Sequence, residues 1–393
     1  MTLNLLIYSL LPGLAKIFET NVFFAFNLFI WAVLFRNIKL SRNELLGVVF
    51  VLTYLIIQSF QSILLNDSFL IFAFVESLYV WVIPFMAFFL AKKYSVETIF
   101  KSLVYVGLCH AIIGLMTYPL FPLPSFLSSL SDTLRDGVAF MRMSSVAGSL
   151  IFGVIISSSF NSLLYLRYCN QISFKKFLIF FIILVLAAFL SLQRSCWLSI
   201  LFGITVYSFL KFNKTLVFYP FFTMIIFFSV VFIGPHFSLN DFMLDRIGTL
   251  FSPSNSPVDE RFEIWINGLY YLNENPLGYG IGQLGQFSYK NEIVLPFYIT
   301  DGDYVKWAAE FGFLSALFFV FFVLYLIFSR VFIHKFLLSK QGVMHTAIIV
   351  GFLVQMIGSN LSEFYYANFI FWLVLGSAKY WSGNESRSSD CNV

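Results

Sequence analysis

Charge is what this chain has least of. Asp, Glu, Lys and Arg make up 11% of its 393 residues, where a soluble globular chain carries roughly a quarter. So few charges cannot clothe a water-facing surface, which excludes an ordinary soluble fold. Histidine is scarce, with four in all, and the four cysteines (Cys109, Cys169, Cys196, Cys391) show no CxxC or metal-ligand spacing. That removes the sequence basis for a zinc site or a disulfide framework. The apolar stretches lack the period-2 alternation of barrel strands, which argues against a transmembrane β-barrel. No internal repeat is visible. The N-terminus lacks a basic n-region and a small-residue cleavage site, so Met1–Phe18 is expected to be a retained span rather than a signal peptide.

What fills the chain instead is apolar bulk. Hydrophobic residues make up 59%, with 53 Phe, and the mean hydropathy is +0.85. Apolar runs of about 17–25 residues, the length that crosses a bilayer, recur throughout. The expectation is an all-α polytopic membrane protein forming a single integral membrane domain over 1–393. Twelve spans are expected, at roughly 3–18, 20–35, 45–65, 69–91, 98–118, 146–166, 177–192, 196–210, 215–234, 305–329, 344–361 and 367–380. Basic clusters (Arg36/Lys39/Arg42, Lys92/Lys93/Lys101, Arg167/Lys175/Lys176, Lys211/Lys214, Arg330/Lys335/Lys340, Lys379/Arg387) fall on every second connection. One orientation therefore places all of them, and both termini, in the cytoplasm.

The opposite face then receives three segments. They are Pro119–Ser145, the tight turn around Arg194, and the long connection 235–303. Connections of that length are usually functional or disordered. Within the last, ERFEIWINGLYYL (260–272) has helical spacing, with Phe262, Ile266 and Leu269/Tyr270 on one face. The loop is thus expected to be partly helical, lying along the membrane surface.

Seven of the 24 basic residues fall on this face: Arg135, Arg142, Arg194, Arg246, Arg261, Lys290 and Lys306. Five are arginine, whereas lysine outnumbers arginine on the cytoplasmic side. Arginine binds carboxylate and phosphate oxygens bidentately and keeps its charge. An arginine wedged between two spans, against the orientation rule, is costly. It either snorkels to a headgroup and caps a helix, or it belongs to an anion site at the outer interface. The large anion available on that face of a bacterial membrane is a lipid-linked phosphate or diphosphate.

Three stretches together resemble a known family. "LSLQRSCWLSI" resembles its SRxxxL segment at a span junction, and "RFEIWINGLYYLNENPLGYGIGQL" its Arg- and Trp-bearing NPLGxG periplasmic segment. "DGDYVKWAAEFGFLSAL" resembles the (H/D)NxYLxxxxExG opening of the following span. Their order and spacing are similar to those of the O-antigen polymerase and O-antigen ligase superfamily of bacterial envelope glycosyltransferases. The resemblance implies a metal-independent transferase without cofactors. Its donor is a glycan on undecaprenyl diphosphate at the periplasmic face of the inner membrane. An acceptor glycan hydroxyl attacks the anomeric carbon, and the lipid diphosphate leaves. Arg194 and Arg261 match the family's diphosphate-contacting arginines, which offset charge growing on the leaving group. Arg142, in "FMRMSSVAGS", resembles a further arginine that precedes a span.

One departure bears on the chemistry. Ligases place a histidine where this chain has Asp301 or its neighbour, and none of His110, His236, His334 and His345 lies there. The acid favours the polymerase branch. Asp301 or Asp303 can then take the acceptor's proton, or the departing diphosphate can. The implied partners are the lipid-linked donor and acceptor glycans, the bilayer and a chain-length regulator, with no nucleic acid.

Glu310 matches the family's glutamate before glycine in "AEFG" and is read as catalytic or as an ion-pair partner for Arg194 or Arg261. A purely structural role at the span's aqueous end is equally open. Glu76, in "FAFVESLYVW", is read as a structural polar contact. "GIGQLG" (280–285) fits G-x-G-x-x-G, but no strand precedes it, so the dinucleotide reading is rejected. Gly280 and Gly282 instead let the backbone approach a sugar or phosphate, and Trp265 is either an aromatic of the outer interfacial belt or a residue that stacks on a sugar ring. Two other functions stay in view. One is a ligase moving polymer to lipid A core; the other is a flippase, which needs charge along a path open to both sides.

Overall fold

The computed structural model describes residues 1–18, 38–65, 85–117, 134–135, 138–139, 143–145, 148–211, 257–282, 284–285, 302–313 and 340–380, with isolated positions between them. Over these residues the chain is helical, as its composition predicts. The helices are α1 (Thr2–Phe18), α2 (Arg42–Leu65), α3 (Val96–Thr117), α4 (Ser149–Tyr168), α5 (Phe174–Leu190) and α6 (Arg194–Lys211). They continue with α7 (Pro257–Glu274), α8 (Asp303–Phe311), α9 (Lys340–Ile357) and α10 (Tyr365–Tyr380), with a 3-10 turn at Leu361–Glu363 between the last two. A two-residue antiparallel hairpin, Leu134–Arg135 with Val138–Ala139, is the strand pairing among the described residues.

Helices α1 to α6, α9 and α10 fall within a few residues of expected spans. The spans at 20–35, 69–91 and 215–234 lie wholly or largely outside the described residues, as does Glu76. By length and composition, α3 is the one helix among the described residues that meets the requirement for crossing a membrane; its 22 residues span about 33 Å. The span expected over 305–329 is corrected at its start. Helix α8 stops at Phe311, and Gly312 turns away at φ 80°. A Cβ at Gly312 would lie 2.6 Å from the Pro276 carbonyl oxygen, so the chain turns where only glycine fits. Nine residues cover about 14 Å, too little to cross.

Small and polar residues set the helix register. Gly153 of α4 faces Gln193, and Asn161, two turns on, faces Ser199 and Gly203 of α6, so α4 and α6 run parallel. On α9, Gln355 donates to Ser157 Oγ at 2.9 Å while Gly351 lies against Ser199, so α9 runs antiparallel to both. Helix α3 is also antiparallel to α4: Ser159 Oγ donates to the Leu103 carbonyl at 2.7 Å, and Gly114 meets Phe152. Glycine and serine at such crossings let backbones approach closely, as membrane helices require. On α5, Phe177, Phe181, Leu184 and Ala188 are buried, while Ile179, Ile182 and Leu186 face outward. That outward face is suited to lipid.

This register gives the bundle two chemically different ends. One gathers the starts of α4 and α6 with the finishes of α3 and α9. The other gathers the start of α2 and the finish of α10. There Ser41 and Glu44 form a reciprocal capping box, with Ser41 N donating to Glu44 Oε2 at 2.7 Å and Glu44 N donating to Ser41 Oγ at 3.4 Å.

Candidate functional site

Arg194 is the first residue of α6. The turn before it is tight: Ser191 N donates to the Ala187 carbonyl, Leu192 N to the Phe189 carbonyl, and Leu192 adopts φ 53°. Trp197 Nε1 donates to the Ala188 carbonyl at 2.7 Å and stacks on Phe189, pinning α6 against the end of α5. The arginine is thus delivered, half-buried, to the bundle end where α4 also begins. Met143 N donates to the Leu190 carbonyl at 3.0 Å, which brings the segment following Arg142 to the same turn. Arg142 itself lies outside the described residues.

Helix α8 builds the second half of the site. Tyr304 Oη donates to the Leu353 carbonyl at 3.0 Å, and Gly302 lies close to the Ile357 carbonyl, so α8 docks at the finish of α9. Four charged side chains meet there away from water. Lys306 Nζ lies 3.1 Å from Glu363 and 3.6 Å from Glu310. Asp303 is fully buried and accepts from Ser362 N at 3.1–3.2 Å and from the Ser362 hydroxyl. Burial pushes the Asp303 carboxyl up to about 7, against the opposing pull of the Ser362 hydrogen bonds and the Lys306 charge. Its oxygens are engaged by the 3-10 turn, so Asp303 clamps α8 to residues 361–363. Asn360 Nδ2 extends the network to the Ile299 carbonyl at 2.7 Å and to Glu363 at 3.3 Å.

The glycine-rich run after α7 wraps this helix. Gly278, Gly280 and Gly282 all have positive φ. Gly280 N donates to the Glu310 carbonyl at 2.8 Å and Tyr279 N to the Ala309 carbonyl at 2.9 Å. Leu284 N approaches Glu310 Oε1 at 3.4 Å. Gly280 therefore braces the finish of α8, and the run holds Glu310 in place. Trp265 of α7 sits over Gly302: a Cβ there would meet its indole nitrogen at 2.5 Å. Gly268 faces Val305, and Pro276 faces Gly312, so α7 runs parallel to α8. Arg261 lies one turn before Trp265 on α7. Its backbone is in α7, its side chain is outside the described residues, and so is Asp301.

The structure thus brings Arg194, Asp303, Glu310, Trp265 and the 278–282 glycines to one end of the bundle. Sequence reasoning missed Asn360, Ser362 and Glu363. Their signal was the polar run GSNLSE between two apolar stretches, which looks like an ordinary turn until Lys306 is seen to need its glutamate.

No curated protein matches the chain. Residues 179–320, from mid-α5 through the site helix α8, match the family model described as O-antigen ligase. That segment, which is similar to the O-antigen ligase family, holds both arginine motifs and the α8 carboxylates.

Proposed function

We propose that this protein is a polymerase of O-antigen or a similar surface polysaccharide. It joins undecaprenyl-diphosphate-linked repeat units at the periplasmic face of the inner membrane. The observation that carries this reading is that Arg194, at the start of α6, and the acid–lysine cluster of α8 lie at the same end of the bundle. That end gathers the segments which the lysine and arginine distribution assigns to the outside.

In this mechanism Arg194, Arg261 and Arg142 grip the donor diphosphate. They stabilise the negative charge that grows as the anomeric C–O bond breaks. The acceptor hydroxyl forms the new glycosidic bond and gives up its proton. Asp303 is engaged by Ser362, so the proton passes to Asp301 or to the departing diphosphate, and Asp303 acts as a positioning residue. Glu310, paired with Lys306, holds the turn that presents Gly280, Gly282 and Trp265 to the glycan. A chain-length regulator is the expected protein partner. The polymerase reading over the ligase reading rests on the acid at 301/303 in place of histidine.

The test is a deletion strain complemented with variants, read on lipopolysaccharide gels. Loss of a polymerase leaves core bearing one repeat unit; bare core with stranded lipid-linked polymer would make this protein a ligase. Arg194→Ala and Arg261→Ala should abolish long chains while the protein still accumulates, and lysine should rescue poorly because it lacks the bidentate fork. Near-normal polymer in both alanine variants overturns the arginine site.

A further inference from the structure

The two helices that start at the arginine end share an unusual feature. Helix α4 begins after Gly148, which offers no side-chain cap, and neither α4 nor α6 has an acidic residue in its first turn. The first intrahelical bonds are Phe152 N to the Gly148 carbonyl and Trp197 N to the Gln193 carbonyl. The preceding N–H groups of both helices therefore have no intrahelical acceptor. Because α4 and α6 run parallel, their positive dipole ends point the same way, each equivalent to about half a charge. Arg194 adds a full charge at the first position of α6, where a lone helix favours an acid.

Between the two starts lies Gln193. It is 8% exposed, and neither Oε1 nor Nε2 finds a hydrogen-bond partner among the described residues. Its side chain reaches across from the start of α6 to the first turns of α4, where a Cβ at Gly153 would fall 1.6 Å from Oε1. Glutamine is also a poor choice for the residue that opens a helix, where the shorter Ser, Thr, Asp or Asn accepts a hydrogen bond from a first-turn N–H group. A buried amide with both ends unpaired is costly, and such groups in native proteins call for an explanation.

We infer that Gln193, together with the paired starts of α4 and α6, forms a phosphate cradle that is completed by the lipid-borne substrate. The Gln193 amide N–H donates to a phosphate oxygen, and Gly153 is small so that the amide can lie between the helices. This rests on the diphosphate reading given above and adds a binding residue to it. The ligand class is a prenyl-borne diphosphate, bound as an anion with no bond made or broken at Gln193.

The test uses the full chain in nanodiscs of phosphatidylethanolamine and phosphatidylglycerol, with undecaprenyl diphosphate and inorganic pyrophosphate as probes. Melting temperature and affinity are measured for wild type, Gln193→Met and Gly153→Ala. Gln193→Met keeps the bulk and removes the orphaned polar atoms. It should melt at or above the wild-type temperature without ligand, yet bind undecaprenyl diphosphate about tenfold more weakly, the usual worth of a hydrogen bond to a charged group. Gly153→Ala, which displaces the amide, should also weaken binding. Inorganic pyrophosphate binding with the same Gln193 dependence assigns the cradle to the diphosphate itself; binding of the lipid form alone assigns it to the membrane-borne substrate. Wild-type affinity in Gln193→Met, or a lower melting temperature with unchanged affinity, overturns the cradle and leaves the arginine reading standing. Failure of wild type to bind either probe overturns both.

Discussion

The two ends of the bundle handle charge in opposite ways. At the capping-box end, Lys92 reaches Glu44 at 2.5 Å, Tyr380 Oη donates to the same carboxylate at 2.8 Å, and Lys92 lies over the Tyr380 ring. Both charged side chains keep about a fifth of their surface in contact with solvent (23% and 19%). At the arginine end, Asp303, Lys306 and Glu310 are 0–4% exposed. Rim pairs such as Lys92–Glu44 cost little desolvation and contribute little. Taking three carboxylates and a lysine out of water costs several kcal/mol per ion, and similar-sized apolar residues often fold as well or better. The first arrangement ties α2, the 91–93 turn and α10 together. The second is expensive for its structural return: it fixes α8, the 361–363 turn and the 278–284 run against one another.

The largest effect that tests this difference is removal of the central cation. Lys306→Met would leave Glu310 and Glu363 buried without their shared partner, a loss of about 3–5 kcal/mol. The variant should fail to accumulate or should elute aggregated in detergent. Adding Glu310→Gln and Glu363→Gln to it should restore much of the folded protein while leaving glycan chains short. A Lys306→Met protein that melts like wild type would show that the cluster is not a coupled unit. A smaller effect is expected at the clamp. Ser362→Ala removes the hydroxyl that Asp303 accepts from and should cost about 1–3 kcal/mol in thermal melts. In combination with Asp303→Asn the losses should be less than additive, because both act on one contact. Fully additive losses would dissolve the clamp.

The sequence made one part of this comparison legible and hid another. Long apolar runs and alternating basic clusters point to a helical membrane protein because hydrocarbon tolerates little else, and the described helices follow those runs closely. The break at Gly312 was not legible. AEFGFLSALFFV reads as continuous apolar helix, and what stops α8 is the backbone of residues 276–278, delivered from far along the chain. Arg194 stood out because an arginine among apolar residues violates a local rule. Glu363 broke no local rule, and Gln193 broke only the preference for a short capping side chain at a helix start. A glutamate in a turn and a glutamine beside an arginine are unremarkable until the fold buries them, and burial is a property of the packed bundle. The pairing of the α4 and α6 starts was hidden for the same reason, since parallel helix beginnings are a matter of register between non-adjacent segments.

The smallest effect separates the two ends by the sign of their pH response. Asp303 holds its proton more tightly in the folded protein, up to about 7 against an ordinary 3.8, because burial disfavours its charge. Its contribution to stability is therefore full below about pH 4 and is lost as pH rises toward 7. Glu44 behaves oppositely. Burial works against its charge, but the hydrogen bonds from Lys92, Ser41 and Tyr380 outweigh that and hold it down at about 2, against an ordinary 4.5. Its contribution is present above pH 4.5 and fades as pH falls toward 2. Melting temperatures in nanodiscs between pH 3 and pH 8 read both. The advantage of wild type over Glu44→Gln should shrink on going from pH 5 to pH 3. Relative to Asp303→Asn, wild type should instead lose ground between pH 5 and pH 8, as the buried acid is forced to ionise. Slopes of the same sign in the two comparisons would mean that Asp303 is open to water, and the charge at the arginine end would then be no more sequestered than the rim pair at the other.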